Sequence, residues 1–197
     1  MDENRNVGSG VLEITPKGYG FLRQERNNYR PSPGDVFVGK DFIGGDRLRP
    51  GLKIEGVTAP PAKRKGGPKL EKLLKINDRP ADDYIDVVPF QDLTVIDPQP
   101  QMTLETPGGP LEMRILDLIC PPPRSGKTIL LQQMANAIAT NNPDVHLIVL
   151  LVDERPEELT DFRRNVNGEV VASTNDQDIS SHVRVSEFTI ERAKRMV

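Results

Sequence analysis

The stretch from Pro121 to Thr128, which reads PPPRSGKT, constrains the fold of this chain more than any other. A phosphate-binding loop requires a glycine, four free positions and then Gly-Lys-Ser/Thr, placed between a buried strand and a helix. Gly126, Lys127 and Thr128 fit the end of that motif, whereas Pro121 stands at its first glycine. Because the backbone amides of a helix N-terminus bind phosphates, the stretch predicts a nucleotide site. The alternative is a proline-rich turn before an ordinary helix.

The residues after this loop predict an α/β unit. Apolar side chains at helical spacing continue from Ile129 until Asn141-Asn142-Pro143 ends the run. The segment 145–152 is nearly all apolar, which is typical of a strand covered on both faces, and it leads to Asp153-Glu154-Arg155. Ligands of open α/β sheets bind at such strand ends. The pattern further predicts a helix over 156–166, a strand over 169–173 and a last helix with its apolar face at Val183, Ser186, Ile190, Ala193 and Val197.

Residues 8–78 predict a small antiparallel barrel, because short apolar segments alternate there with turn signals. The five segments are Val11–Ile14, Tyr19–Arg23, Asp35–Val38, Leu52–Val57 and Leu70–Ile76. A basic tip, Lys63-Arg64-Lys65, separates the last two. Residues 79–113 contain Asp97-Pro98-Gln99-Pro100 and Pro107-Gly108-Gly109-Pro110 and predict a linker. The α/β unit is therefore expected to occupy residues 114–197.

Aromatic and glycine residues alternate on the second of these segments. Tyr19 and Phe21 offer flat faces for stacking, Phe37 extends this platform from the next segment, and Gly18 and Gly20 are interpreted as leaving room for bases to approach. Stacking on aromatic rings is worth about 1–3 kcal/mol per base and tolerates sequence. The pattern therefore favours single-stranded nucleic acid. The alternative places the three rings in the barrel core.

The charge distribution supports the same interpretation. Residues 1–80 carry 16 Lys and Arg against 10 Asp and Glu, whereas residues 81–197 carry 10 against 19. Lysines and arginines on one part of a chain attract the phosphates of nucleic acids. The alternative is a hydrated basic surface without a partner. Charge alone does not distinguish this surface from a nucleic-acid-binding one, so the distinction depends on the aromatic residues.

Other function classes find little support in the composition. No apolar run reaches the roughly 20 residues that a membrane helix needs, and the polar N-terminus is unlike a signal peptide, so we expect a cytoplasmic protein. The single cysteine, Cys120, cannot form an internal disulfide, and the two histidines are isolated, which argues against a metal-ligand cluster.

Six characteristic runs follow one another along the chain: Gly18–Arg23 (GYGFLR), Asp35–Val38 (DVFV), Arg114–Leu118 (RILDL), the phosphate loop, Leu150–Glu158 (LLVDERPEE) and Gly168–Thr174 (GEVVAST). In composition and order these runs resemble the Rho family of bacterial transcription termination factors. The resemblance extends from about residue 10 to residue 197. It implies a cold-shock-type OB-fold barrel of five strands, followed by an incomplete RecA-like P-loop ATPase domain.

The same resemblance implies a function and a set of site residues. Members of the family are homo-hexameric, RNA-dependent ATPases that translocate along RNA and release transcripts from RNA polymerase. The implied partner is single-stranded RNA, with cytidine-rich RNA among the ligands, and the implied RNA contacts are Tyr19, Phe21, Arg23, Phe37 and Lys69. The residues implied to hold ATP are Pro123, Arg124, Ser125, Gly126, Lys127, Thr128 and Ile129, with Thr128 also holding Mg²⁺. Glu154, Lys127 and Arg155 are the implied catalytic residues, Glu154 polarising the attacking water.

The chain departs from the family pattern at three places. Pro68, Lys69 and Leu70 stand where the family has an acidic, a basic and an aromatic residue, so an acceptor for the cytosine amine is missing. Before the phosphate loop, Leu118-Ile119-Cys120 runs directly into Pro121, and a glycine-rich turn and a strand are expected to be lost. No strand with a Walker-B aspartate is found up to Val197. We therefore expect an incomplete chain without ATP turnover of its own; the alternative function is a stand-alone module for single-stranded RNA.

Overall fold

A computed structural model describes residues 6–45, 48–61, 66–84, 87–96, 102, 104, 120, 122 and 125–197. The chain divides into two compact units, residues 1–93 together with 183–197, and residues 94–182. Pro121, Pro123, Arg124, the basic tip at 63–65, the segment 114–119 and about half of the predicted linker lie outside the described residues. The predicted domain boundaries stay predictions.

The first unit contains a closed barrel, as predicted. Its strands are β1 (Asn6–Ile14), β2 (Gly20–Arg23), β3 (Val36–Val38), β4 (Lys53–Ala59), β5 (Lys69–Ile76) and the short β6 (Arg79–Pro80). They follow the order β3-β2-β1-β4-β5-β6, and a parallel pairing between β3 and β5 closes five of them into a barrel. Helix α1 (Lys40–Gly45) follows β3. Each of the five predicted segments is confirmed within two residues at its C-terminal end.

Alternation along the strands builds the barrel core. Side chains at every second position point inward, and the fully buried ones form one apolar cluster. Its members are Leu12, Leu22, Val36, Val38, Leu48, Leu52, Ile54, Leu70 and Ile76. The three aromatic residues of the predicted platform do not belong to this cluster, nor to the half-buried side chains packed against it. The core alternative for those rings is therefore wrong.

The last helix, α4 (Ile179–Lys194), packs within the first unit from Val183 onward. Its buried residues are Val185, Phe188, Thr189 and Arg192. The Phe188 ring lies 4.9 Å from that of Tyr29, centroid to centroid. Gly51 allows the backbone of α4 to approach closely, because a Cβ at this position would lie 2.5 Å from the Glu191 backbone. Its φ of +89° is a second reason for glycine there.

The predicted apolar face of α4 is wrong. Val183 and Ile190 are 50% and 52% exposed, and Ala193 and Val197 are exposed as well. The helix carries two apolar stripes, and the one that includes Phe188 is buried because Tyr29 offers it an aromatic partner. Periodicity detects both stripes and contains no information about which one packs.

The second unit is a partial α/β layer. Strands β7 (Ile148–Glu154) and β8 (Glu169–Thr174) form a parallel pair, and helix α3 (Pro156–Asn165) connects them. Helix α2 (Lys127–Asn141) precedes β7 in the chain. These elements confirm the predicted helices and strands. Their shared core consists of Ala135, Leu151, Phe162, Val166 and Ala172. Within the described residues β7 is less covered than expected, since Leu151 is its only buried residue and Val152 is 43% exposed.

None of the helices in the described part of the chain combines the length and the apolarity needed to cross a membrane.

Candidate nucleic-acid interface and phosphate loop

Tyr19, Phe21 and Phe37 form a cluster on the outside of the barrel, which we name the aromatic face. The ring centroids of Tyr19 lie 5.7 Å from Phe21 and 5.5 Å from Phe37, and those of Phe21 and Phe37 are 5.8 Å apart. All three rings are half-buried. Each ring thus supports the others edgewise or at a tilt while part of it stays open to solvent. The structure brings these three predicted residues together.

Strand register places the aromatic face. Phe21 on β2 is paired with Glu13 on β1 and with Phe37 on β3, and Phe37 is paired with Lys69 on β5. Directly paired residues lie on the same side of a sheet. Because β3 pairs with β5 and closes the barrel, the outward-facing side chains continue from Phe37 to Lys69. The exposed Lys69 therefore lies beside the aromatic rings.

The interpretation of Gly20 as room for bases is wrong. Gly20 alternates with Tyr19 and Phe21 and is buried, so it faces the barrel interior. A Cβ at this position would lie 2.7 Å from Leu12 Cδ1 and 2.8 Å from the Glu13 carbonyl oxygen. Gly20 therefore permits close packing of β2 on β1. Gly18 has a φ of +81° in the preceding turn, so its glycine serves the turn.

Arg23 lies next to the aromatic face, but its guanidinium is buried and paired. It donates from Nε to Glu13 and from Nη1 to Asp35 Oδ2 at 2.6 Å. Its guanidinium carbon also lies 4.8 Å from the centroid of Phe21. The guanidinium therefore supports the Phe21 ring, and its role in RNA binding stays a prediction. Glu13 and Asp35, which hold it, were not singled out from the sequence.

Glu13 is shared between two arginines. Arg184 on α4 donates from Nε to Glu13 Oε1 at 2.6 Å and from Nη2 to the Tyr29 carbonyl oxygen at 2.6 Å. Burial by itself would raise the pKa of Glu13, but hydrogen bonds and positive charge from Arg184 and then Arg23 hold that pKa below its ordinary value. The carboxylate is therefore ionised at neutral pH.

The segment that departs from the family pattern has a clear structural role. The Pro68 carbonyl oxygen accepts a hydrogen bond from the Phe37 amide at 2.8 Å, and the Leu70 side chain is fully buried in the barrel core. Leu70 thus adds no surface to the aromatic face. Lys69 borders a cleft of about 550 Å³ that is also lined by Gly39, Asp41, Phe42, Val57, Leu70, Glu71 and Lys72.

The end of the phosphate loop leads into α2 as the motif requires. Gly126 has a φ of +89° and directly precedes Lys127, the first residue of the 15-residue helix. Its carbonyl oxygen accepts the first helical hydrogen bond, from the Leu130 amide at 3.0 Å. A Cβ at Gly126 would meet open space, so backbone conformation is the reason for glycine there. Ser125 and Ile129 flank this position and are exposed.

Lys127, Thr128 and Glu154 lie together at the C-terminal end of β7. Lys127 Nζ is 3.5 Å from Glu154 Oε1, and both side chains are partly exposed. The Thr128 hydroxyl donates to Glu158 Oε2 at 3.1 Å. Glu158, an acidic residue in the first turn of α3, thus also contacts the loop. Arg155 directly precedes α3 and is exposed.

A bulge orients the carboxylate at this strand end. Val152 pairs with Ser173 and Glu154 with Thr174, so Asp153 is skipped in the register. Asp153 has a φ of +58°, a conformation that non-glycine residues adopt at a cost. Bulges of this kind re-aim side chains near functional sites, and local sequence patterns do not reveal them.

Comparison with known proteins identifies the relatives of this chain. Residues 8–82 match the family described as Rho termination factor, RNA-binding domain. Proteins named transcription termination factor Rho from Haemophilus influenzae and Cereibacter sphaeroides are 44% and 42% identical to it over 208 and 204 residues. These alignments cover 96% of this chain, and 49% and 48% of the relatives. The corresponding protein of Aquifex aeolicus is 43% identical over 203 residues, which are 95% of this chain and 47% of the relative.

The lengths of these alignments are informative. The chain spans about half the length of the curated relatives it matches. An alignment over 208 positions is longer than the whole 197-residue chain, so the relative has residues within the aligned region that this chain lacks. Identity above 40% over nearly the whole chain, together with the match of its barrel, shows the family. The chain belongs to the Rho family of transcription termination factors.

Proposed function

We propose that the barrel binds single-stranded RNA on its aromatic face. The observation that carries this proposal is the half-buried cluster of Tyr19, Phe21 and Phe37 outside the barrel core. Rings fixed against one another stay in place when a base stacks on them, so little side-chain entropy is lost on binding. Stacking tolerates every base, because each base has a flat face.

Lys69 is proposed to bind the phosphates that flank the stacked bases. It is exposed, is paired in register with Phe37, and borders the cleft beside α1. Pro68 and Leu70 supply neither a carboxylate nor an aromatic surface there, so we expect a weaker preference for cytidine than the family pattern implies.

The test is an RNA titration followed by fluorescence anisotropy. Labelled 12-nucleotide oligo(rC), oligo(rA) and a duplex control are titrated with the chain and with Phe21→Ala. We expect both single strands to bind, and Phe21→Ala to weaken binding by roughly 5- to 150-fold, the equivalent of one lost stack. Phe90, an exposed phenylalanine outside the barrel strands, provides the matched control Phe90→Ala. Equal affinity of Phe21→Ala and Phe90→Ala would remove the aromatic face from the proposal.

We also propose that the phosphate loop binds ATP with Mg²⁺. The residues present fit this ligand: Lys127, the Thr128 hydroxyl and the N-terminus of α2 converge beside Glu154. Lys127 would neutralise phosphate charge, Thr128 would hold Mg²⁺, and the amides of Ser125 through Ile129 would surround the phosphates. Bound ATP supplies a phosphoryl group for transfer to water, and Glu154 and Arg155 are the proposed catalytic side chains. Pro123 and Arg124 complete the predicted loop.

The resemblance to the family implies RNA-dependent ATP hydrolysis, assembly into a homo-hexamer, translocation along RNA and action on the RNA polymerase complex in the cytoplasm. We propose that this chain contributes RNA binding and ATP binding to that activity. We propose that this chain alone binds ATP but does not hydrolyse it, because the relatives have residues in the aligned region that this chain lacks. A displacement of a reacting group by about 1 Å can cost on the order of 100-fold in rate.

Calorimetric titration with ATP and Mg²⁺, with phosphate release measured in parallel, tests this second site. Lys127→Ala should abolish ATP binding, whereas Lys53→Ala, which removes an exposed lysine of β4, should not. RNA-stimulated phosphate release that Lys127→Ala abolishes would overturn the proposed lack of turnover. Binding of ATP that survives Lys127→Ala would overturn the site.

A further inference from the structure

A compact group of charges lies against the aromatic face, and we name it the Arg23 cluster. It consists of Arg23, Glu13, Asp35 and Arg184. Arg23 is 7% exposed and Asp35 is 3% exposed, so both are withdrawn from solvent. The guanidinium carbon of Arg23 lies 4.8 Å from the centroid of Phe21. The cluster thus determines the charge directly behind one of the stacking rings.

Glu13 connects the two arginines of this cluster. Its Oε2 accepts a hydrogen bond from Arg23 and its Oε1 accepts one from Arg184. Arg184 is itself fixed, because it also donates to the Tyr29 carbonyl oxygen at 2.6 Å. Arg23 in turn bridges Glu13 and Asp35. Contacts through Glu13 and Arg23 therefore connect Arg184 to Phe21, although the two are more than 160 residues apart in the chain.

We propose that Arg184 is a positioning residue of the RNA-binding site: by occupying one oxygen of Glu13, it keeps Arg23 against Phe21. This inference rests on the proposed function of the aromatic face. Two arginines and two carboxylates make the cluster neutral. Without Arg184 the cluster carries one net negative charge beside the polyanion, and the free Glu13 oxygen competes with Asp35 and the Phe21 ring for Arg23.

Two glutamine variants, one on α4 and one directly after its last residue, provide a matched comparison. Arg184→Gln removes the contact to Glu13. Arg195→Gln removes an equal charge from an arginine that joins α4 to the barrel elsewhere, through the Pro50 carbonyl oxygen at 3.1 Å and Glu191. With oligo(rC), we expect the Kd of Arg184→Gln to rise about 5-fold at low salt and that of Arg195→Gln to change by less than about 2-fold. Equal losses in both variants would overturn the proposal.

A double variant separates positioning from simple loss of structure. In Glu13→Gln with Arg184→Gln, the uncompensated carboxylate is gone, so affinity should return to within about 2-fold of the original chain. If Arg184 merely stabilised the fold, the second substitution would remove a further contact and affinity would not recover. Affinity that stays low or falls further in the double variant would therefore contradict the proposal.

A measurement without RNA keeps this inference distinct from the proposed function. The Arg23 Nε–H group is buried and bonded to Glu13, so its NMR signal should exchange slowly with water in the original chain and in Arg195→Gln. We expect its exchange to accelerate at least about 10-fold in Arg184→Gln. Unchanged exchange would overturn the positioning role. Failure of the original chain to bind RNA would instead overturn the proposed function, while the exchange rates would still decide whether Arg184 orders Arg23.

If Arg184→Gln does not fold, Arg184→Lys provides the same test. Lysine keeps the charge but cannot donate to Glu13 and to the Tyr29 carbonyl oxygen in the same forked geometry. The Arg23 Nε–H exchange should then accelerate while the salt dependence of RNA binding stays as in the original chain. Slow exchange in Arg184→Lys would contradict the proposed positioning.

Discussion

Phe21 and Phe37 are direct partners across β2 and β3, with ring centroids 5.8 Å apart and an interplanar angle of 73°. One ring edge therefore rests against the other ring, and neither can rotate freely without losing this contact. Tyr19 completes the arrangement at 5.5 Å from Phe37. Phe21 and Phe37 belong to different strands and Tyr19 directly precedes β2, so each ring can be substituted separately.

The contribution of Phe37 is expected to depend on its aromatic ring. Phe37→Leu keeps an apolar side chain but removes the stacking surface, and we expect RNA affinity to fall by roughly 5- to 150-fold. Phe37→Tyr keeps the ring and should bind within about 3-fold of the original chain, since its ring can stack equally well. Anisotropy titrations of both variants with oligo(rC) measure the difference. If Leu and Tyr at this position bind equally, stacking at Phe37 is excluded.

Gly20 and Gly34 are expected to respond oppositely to alanine. A Cβ at Gly20 would lie 2.7 Å from Leu12 Cδ1, whereas a Cβ at Gly34 would have no neighbour within 4 Å. We expect Gly20→Ala to lower the free energy of unfolding by about 1–3 kcal/mol through overpacking. Gly34→Ala should leave it unchanged or raise it by up to about 1 kcal/mol. Urea denaturation of both variants provides the measurement, and equal stabilities would mean that β1 and β2 can separate without cost.

Glu13 is expected to make the barrel sensitive to acid. Its pKa in the folded chain lies below the ordinary value of 4.5, so the unfolded chain takes up a proton first as the pH falls. The stabilisation by Glu13 is therefore complete above about pH 4.5 and is lost as the pH falls through the lowered folded pKa. Urea unfolding at pH 7, 5, 4 and 3 should show a smaller loss of stability in Glu13→Gln than in the original chain. Parallel pH profiles would refute this linkage.

Phe188 and Ile190 provide a test of which face of α4 is packed. Phe188 is 7% exposed against Tyr29, whereas Ile190 is 52% exposed. Phe188→Ala should lower the free energy of unfolding by about 3–5 kcal/mol, and Ile190→Ala should change it by less than about 0.5 kcal/mol. Thermal and urea unfolding measure both. A larger effect of Ile190→Ala would show that the other stripe is buried.

Local patterns predicted much of this fold for physical reasons. Strand alternation and turn residues depend on neighbours in sequence, so the five barrel strands could be found from Val11–Ile14 onward. The helix after Gly126 could be found because its start and stop signals are local. The burial of Phe188 rather than Ile190 depends on Tyr29, which is remote in sequence, and no periodicity contains that information.

The site was predictable to a different degree in its two parts. Tyr19, Phe21 and Phe37 could be grouped because adjacent strands place side chains of equal parity on one face. The pairing of Arg23 with Glu13 and Asp35 could not be foreseen, since sequence patterns show which face a charge occupies and not which partner it takes. Alternation with Tyr19 and Phe21 already places Gly20 on the inward side of the strand. The close contact with Leu12 and with the Glu13 carbonyl oxygen, which requires glycine there, follows only from the strand register.

The barrel closes between β3 and β5 at one register position, where Phe37 is paired with Lys69. This is its shortest junction in the described residues, so the strands should part there before they part elsewhere. An RNA strand that stacks on Phe37 and binds Lys69 would span this junction and connect β3 to β5. RNA binding would then stabilise the closed barrel, and the closed barrel would in turn stabilise the bound RNA. The Phe37 amide donates to the Pro68 carbonyl oxygen at this junction. Its hydrogen exchange with water would therefore slow as RNA occupies the site.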